Sequence, residues 1–171
     1  MTKAQRPAQI LYAHIDGASR GNPGESGIGI ILRDAKGNTV FSGGGYLGKG
    51  TNNEAEYNAL LACLKKIKSV LMDQTRPQPR RAVGQGLGGR EHAESKIEKV
   101  IVYSDSELLV NQLRGSYKVK DERLKKLFRR AARLIHSLPI KVEIHLVARE
   151  QNQDADMLAN YGINTRIKLG V

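Results

Sequence analysis

Residues 9–48 read QILYAHIDGASRGNPGESGIGIILRDAKGNTVFSGGGYLG, and the punctuation of this stretch decides the architecture. Gln9 to Ala18 mixes apolar and β-branched residues and then meets a Gly-Asn-Pro-Gly turn at 21–24, the pattern of a strand closed by a tight connection. We read it as a central strand ending near Asp16. Two further strands are expected at 27–34 and 38–48, joined by the short turn of Ala35, Lys36 and Gly37. Three consecutive strands with such short connections are antiparallel.

Downstream the period changes. Glu56, Leu60, Cys63, Ile67 and Val70 recur at helical spacing, which predicts a helix from about Asn53 to Met72. Residues 73–96 carry prolines, glycines and arginines without any sustained period, so a mobile basic surface loop is expected there. A strand at 99–105 runs directly into a helix at 106–115. A second helix, Val119 to Leu138, has one apolar face and is basic elsewhere, with Pro139 close behind it. A last strand at 141–148 and a short helix from near Asn152 complete the order βββαβααβα. That order implies an α/β fold, a mixed five-stranded sheet with helices packed on it.

A chain of 171 residues fits one domain, 1–171, because two would each bury too little apolar surface. Twenty-eight Lys and Arg against 17 Asp and Glu give a net charge of +11, which favours a polyanionic partner, nucleic acid before an anionic membrane surface. The lone Cys63 can form no internal disulfide and falls within an apolar helical pattern, so a buried side chain is expected rather than a reactive thiol. No apolar run is long enough to span a bilayer, and the start MTKAQRPAQI is not a signal peptide. Cytoplasmic residence is the resulting expectation.

Against this background the acidic residues draw notice. Asp16 stands at the end of an otherwise apolar strand, where a charge is costly unless paired or bound to metal, although an Asp opening a turn is the plain alternative. Glu56 shares a helix face with Leu60, Cys63 and Ile67, whereas Glu54 shares one with Asn58 and Lys65 and is expected to face solvent. Asp105 closes an apolar strand and opens a helix, so it fits an N-cap as well as a site. Asp154 and Asp156 both open the last helix, and helical phase does not separate them. Carboxylates without a matching Cys or His set suit hard cations such as magnesium. His14, His92, His136 and His145 have no metal-ligand spacing, and the chain has no Walker loop, dinucleotide glycine fingerprint or serine elbow. An acidic metal site in a basic chain points to phosphodiester chemistry.

Four segments taken together, HIDGASRGNPG (14–24), TNNEAEYNAL (51–60), VYSDSELLV (102–110) and NQDADMLAN (152–160), resemble ribonuclease H, type 1. The resemblance runs from about residue 9 to 165, the 73–96 loop excepted. It implies the ribonuclease H-like fold and hydrolysis of the RNA strand of RNA/DNA hybrids, leaving 5′-phosphate and 3′-hydroxyl ends. It further implies that Asp16, Glu56, Asp105 and Asp156 bind two magnesium ions, with manganese as substitute, and it selects Asp156 over Asp154. Recognition of ribose 2′-hydroxyls, which distinguish RNA from DNA, is carried over to Ser19, Asn22, Asn52 and Asn53, with Glu107 nearby. No obligatory protein partner is implied, and double-stranded RNA is a possible further substrate.

Three departures stand out. Arg149 occupies the place of a mobile histidine common in the family; arginine cannot serve as a general base at neutral pH, so its role would be electrostatic. Glu107 stands where glutamine is common. The extra basic helix of some bacterial members is missing, and the helix carrying Lys120, Arg123, Lys125, Lys126, Arg129, Arg130 and Arg133 is the candidate to replace it. Two rival functions are a catalytically silent nucleic-acid-binding module and another nuclease of the same fold. A binding module has no need to keep four like charges together, and the GNPG and TNN segments count against a different nuclease.

Overall fold

A computed structural model describes residues 9–75 and 96–170. Its elements are β1 (Gln9–Gly21), β2 (Gly24–Arg33), β3 (Thr39–Gly50), α1 (Asn52–Thr75), β4 (Ile97–Ser104), α2 (Glu107–Leu113), α3 (Glu122–Ser137), β5 (Lys141–Leu146), a 3₁₀ turn (Arg149–Gln151) and α4 (Gln153–Thr165). The expected order holds. The strands form one five-stranded sheet in the spatial order β3-β2-β1-β4-β5, with β1, β2 and β3 antiparallel and β4 and β5 parallel to β1.

Most boundaries shift by one to three residues from the sequence expectation, and three of the differences bear on the site or on the basic segments. β1 continues five residues past Asp16, because the tight turn is Asn22-Pro23 and every residue up to Gly21 still finds a partner on β2. α1 continues to Thr75, so residues 73–75 are helical rather than loop. The remainder of the expected loop, 76–95, lies outside the described residues. α3 begins only at Glu122, because Asp121 caps it by accepting from the backbone N–H groups of Arg123 and Leu124 at 2.8 and 3.0 Å. Lys120 therefore precedes the helix.

The alternation of β1 divides its side chains between two layers. Leu11, Ala13 and Ile15, with Val100 and Val102 of β4, are buried with Leu60, Leu64 and Ile67 of α1 in the main core. Cys63 is fully buried there, and burial pushes its thiol up to about 12, which removes it from redox or ligand chemistry at neutral pH. Across the sheet α4 packs on the opposite face, on β2 and β3 above all. Its backbone comes so close that a Cβ at Gly29 would sit 1.9 Å from the carbonyl oxygen of Ala155. Tyr57 Oη donates to Gln112 Oε1 at 2.8 Å and ties α1 to α2. Among the described residues no helix is long and apolar enough to cross a membrane.

Candidate active site

The parallel pairing of β1 with β4 ends at His14 opposite Tyr103, and beyond it the two strands diverge. Asp16 and Asp105 stand on either side of that divergence, the crevice at strand carboxyl ends where open α/β sheets gather functional groups. Asp16, opposite Gly29 on β2, is only 5% exposed. Asp105 follows the last residue of β4. It is not the cap of α2: Ser106 fills that role, its Oγ accepting from Leu109 N–H at 3.3 Å. The Asp105 carboxylate is left free, and it accepts instead from Asn152 Nδ2 at 2.8 Å.

Glu56 arrives from the first turns of α1. A Cβ at residue 17 would lie 2.2 Å from the backbone nitrogen of Glu56, so the absence of one at Gly17 is what lets the helix start against β1. Glu56 is 5% exposed, and its Oε2 has no hydrogen-bond partner among the described residues. Glu54 differs from the solvent-facing expectation. It folds back to accept from Thr51 N–H and Oγ1 at 2.8 and 2.9 Å, while Thr51 Oγ1 accepts from Glu54 N–H, a capping box that starts α1.

Asp16, Glu56 and Asp105 each present a carboxylate oxygen, and these oxygens lie within 4.8 Å of one another. Burial, then repulsion from Asp105 and Asp156, pushes Asp16 up to about 7; burial, then Asp16 and Asp105, raises Glu56 well above the usual carboxylate range. Three acids crowded in a dry crevice are unfavourable by themselves. A cation would relieve both the repulsion and the unpartnered Glu56 oxygen. Oxygen-only donors fit a hard divalent ion, and none of the three described histidines joins the cluster.

Asp156 lies outside this close triad but near enough to raise the proton affinity of Asp16. Its Oδ1 is 3.6 Å from Nη2 of Arg149, whose side chain is 77% exposed. Asp154 is drawn away to Arg33 at 2.9 Å, a separation of the two aspartates that helical phase could not show.

Four of the expected substrate residues meet where the β1–β2 turn faces the start of α1. Ser19 Oγ contacts the carbonyl oxygens of Gly21 and Gly50 at 2.6 and 2.9 Å, and Asn22 Oδ1 accepts from Asn52 N–H at 3.4 Å, with Asn53 next in the chain. Glu107 is separate from them. Its Oε1 accepts from Tyr117 Oη at 2.9 Å on the surface beside α2.

Two features escaped sequence reading. A cleft of about 320 Å³ between β3, α1 and α3 is lined by Lys49, Arg123, Lys126 and Arg130 with Glu54 and Ser26, so part of the basic α3 face borders a groove rather than open solvent. Asn152, 1% exposed, is the other. No sequence signal marked it, since an asparagine opening a helix reads as a cap.

Comparison with known proteins places these residues in a family context. A family model described as reverse transcriptase-like matches residues 14–74 and 87–162. Ribonuclease HI of Halobacterium salinarum is 31% identical over 154 residues, covering 90% of this chain and 64% of that protein. A bifunctional protein of Mycobacterium tuberculosis is 35% identical over 146 residues, 85% of this chain and 33% of its own length. The chain thus spans less than two thirds of these relatives. Among solved structures, ribonuclease H1 of Halobacterium salinarum superposes with a TM-score of 0.73 at 30% identity, over 91% of this chain and 98% of that one. LC11 ribonuclease H1, solved in complex with an RNA/DNA hybrid, gives 0.71 at 33% identity over 92% and 97%.

Proposed function

Because the chain belongs to the type 1 ribonuclease H family, we propose that it is an endonuclease hydrolysing the RNA strand of RNA/DNA hybrids. The observation that carries this reading is the clustered triad of Asp16, Glu56 and Asp105, with one buried oxygen of Glu56 left without a hydrogen-bond partner among the described residues. That triad would hold divalent cations with Asp156 at its edge, two magnesium ions or manganese in their place. The chemistry supplied by bound cations is activation of water toward phosphorus and neutralisation of charge on the departing 3′ oxygen.

The chain's own residues do the rest. Asp16 and Glu56, dry and mutually repelling, bind protons more tightly than free carboxylates do, and a bound cation would displace those protons. The β1–β2 turn with Ser19 and Asn22, facing Asn52 and Asn53, offers backbone and amide groups suited to ribose 2′-hydroxyls. Glu107, already engaged by Tyr117, would contribute an acceptor alone. Arg149, exposed and loosely paired with Asp156, would act on phosphate or leaving product by charge. The basic balance of the chain suits a duplex polyanion. Double-stranded RNA belongs to the same proposal as a secondary substrate. So does action in the cytoplasm without an obligatory protein partner.

The test is a panel of end-labelled RNA/DNA, RNA/RNA and DNA/DNA duplexes incubated with the protein in magnesium or manganese. Cleavage confined to RNA strands, with the hybrid cut fastest, is expected. Preferential hydrolysis of DNA/DNA would replace the proposal with a different nuclease activity.

A further inference from the structure

Asn152 does not behave as the residue that opens a helix. An N-cap asparagine ordinarily turns its Oδ1 onto the N–H groups of the first turn. Here the side chain makes no such bond. Both protons of its amide are spent elsewhere: Nδ2 donates to the carbonyl oxygen of Ile15 and to Asp105 Oδ1, each at 2.8 Å. Oδ1 is buried, and the group that reaches toward it is the His14 ring on β1, whose charged form it favours. Meanwhile the backbone carbonyl of Asn152 accepts from the N–H groups of Ala155 and Asp156, each at 3.1 Å.

These four bonds join three separate parts of the chain. Ile15 precedes Asp16 on β1, Asp105 follows β4, and Asp156 rides on α4. The buried side-chain amide thus ties β1 to the end of β4, and because the same residue opens α4, three carboxylate-bearing elements whose mutual charge would drive them apart meet at it. We infer that Asn152 is a positioning residue that holds Asp105 against Asp16 and so sets the cation affinity of the site.

This rests on the carboxylates binding a divalent cation, which is part of the function proposed above. The test is titration of the metal-free parent and of Asn152→Ala with magnesium chloride and with manganese chloride in a calorimeter. Residues that orient metal ligands typically contribute 10- to 100-fold in affinity, so binding at least tenfold weaker is expected in the variant, with its metal-free affinity for hybrid unchanged. A lower melting temperature with cation affinity equal to the parent would reduce Asn152 to a packing role and overturn the inference. No binding by the parent would overturn both this inference and the proposed cation site. Should the alanine variant not fold, the side-chain amide resonances of Asn152 in the labelled parent decide. They are expected to shift in step with magnesium occupancy, and resonances that stay fixed while the cation binds refute the assignment.

Discussion

Asp16 shows what the site costs the fold. Its proton affinity rises from an ordinary 3.8 to about 7, through burial first and then its acidic neighbours. Between those values the folded chain holds a proton that the unfolded chain has released, so stability declines as pH rises across the interval, and the group costs nothing below the lower value. At about 1.4 kcal/mol per pKa unit, Asp16→Asn should exceed the parent by roughly 4 kcal/mol at pH 8 without metal and match it near pH 4. Thermal melts across that range are expected to show a gap on the order of 8–16 °C at the alkaline end. Saturating magnesium should close most of it by stabilising the parent alone. Parallel melting profiles at every pH would mean that the carboxylates do not strain the metal-free protein. Of these residues, Glu56 and Glu54 were correctly divided by helical phase, yet Glu54 was not left to solvent, because a capping box is decided by rotamer and not by period. Asp154 and Asp156 were beyond phase altogether. Both occupy one helical turn, and only a tertiary partner, Arg33, tells them apart.

At the level of elements, the apolar rhythm carried the reading well, since strands of period two and a long amphipathic helix leave strong marks. The ends were less legible. β1 overran Asp16 because pairing with β2 outlasts the apolar run, and α1 is still helical at Thr75, past the last residue of its apolar pattern. The seat of α4 was not legible at all. Nothing in the sequence pattern singles out Gly29 and its neighbours on β2 and β3, whose bare backbone is what admits the helix. Gly29→Ala puts a methyl 1.9 Å from the Ala155 carbonyl, and no flexible side-chain end is available to yield. Overpacking of this kind typically costs 1–3 kcal/mol, and we expect a loss at the upper end, about 3 kcal/mol, in the denaturant midpoint. α4 carries Asp156, with Asn152 at its start, so the same variant should also bind magnesium more weakly. A loss below about 0.5 kcal/mol would show that α4 adjusts freely and is not fixed by that contact.

The whole molecule combines a strongly basic chain with a small buried acidic centre. The two serve separable ends: cations spread over the chain suit the phosphate backbone without regard to cleavage, while the carboxylates act at one bond. Removing one carboxylate should therefore leave duplex binding in place. The most direct measurement compares the parent with Asp105→Asn on an end-labelled RNA/DNA hybrid in magnesium, recording cleavage rate and, without metal, the dissociation constant. The account predicts that the variant binds the hybrid within about threefold of the parent, roughly 0.6 kcal/mol, and cleaves it at least a thousandfold more slowly, about 4 kcal/mol of transition-state stabilisation. Equal cleavage by parent and variant would contradict it.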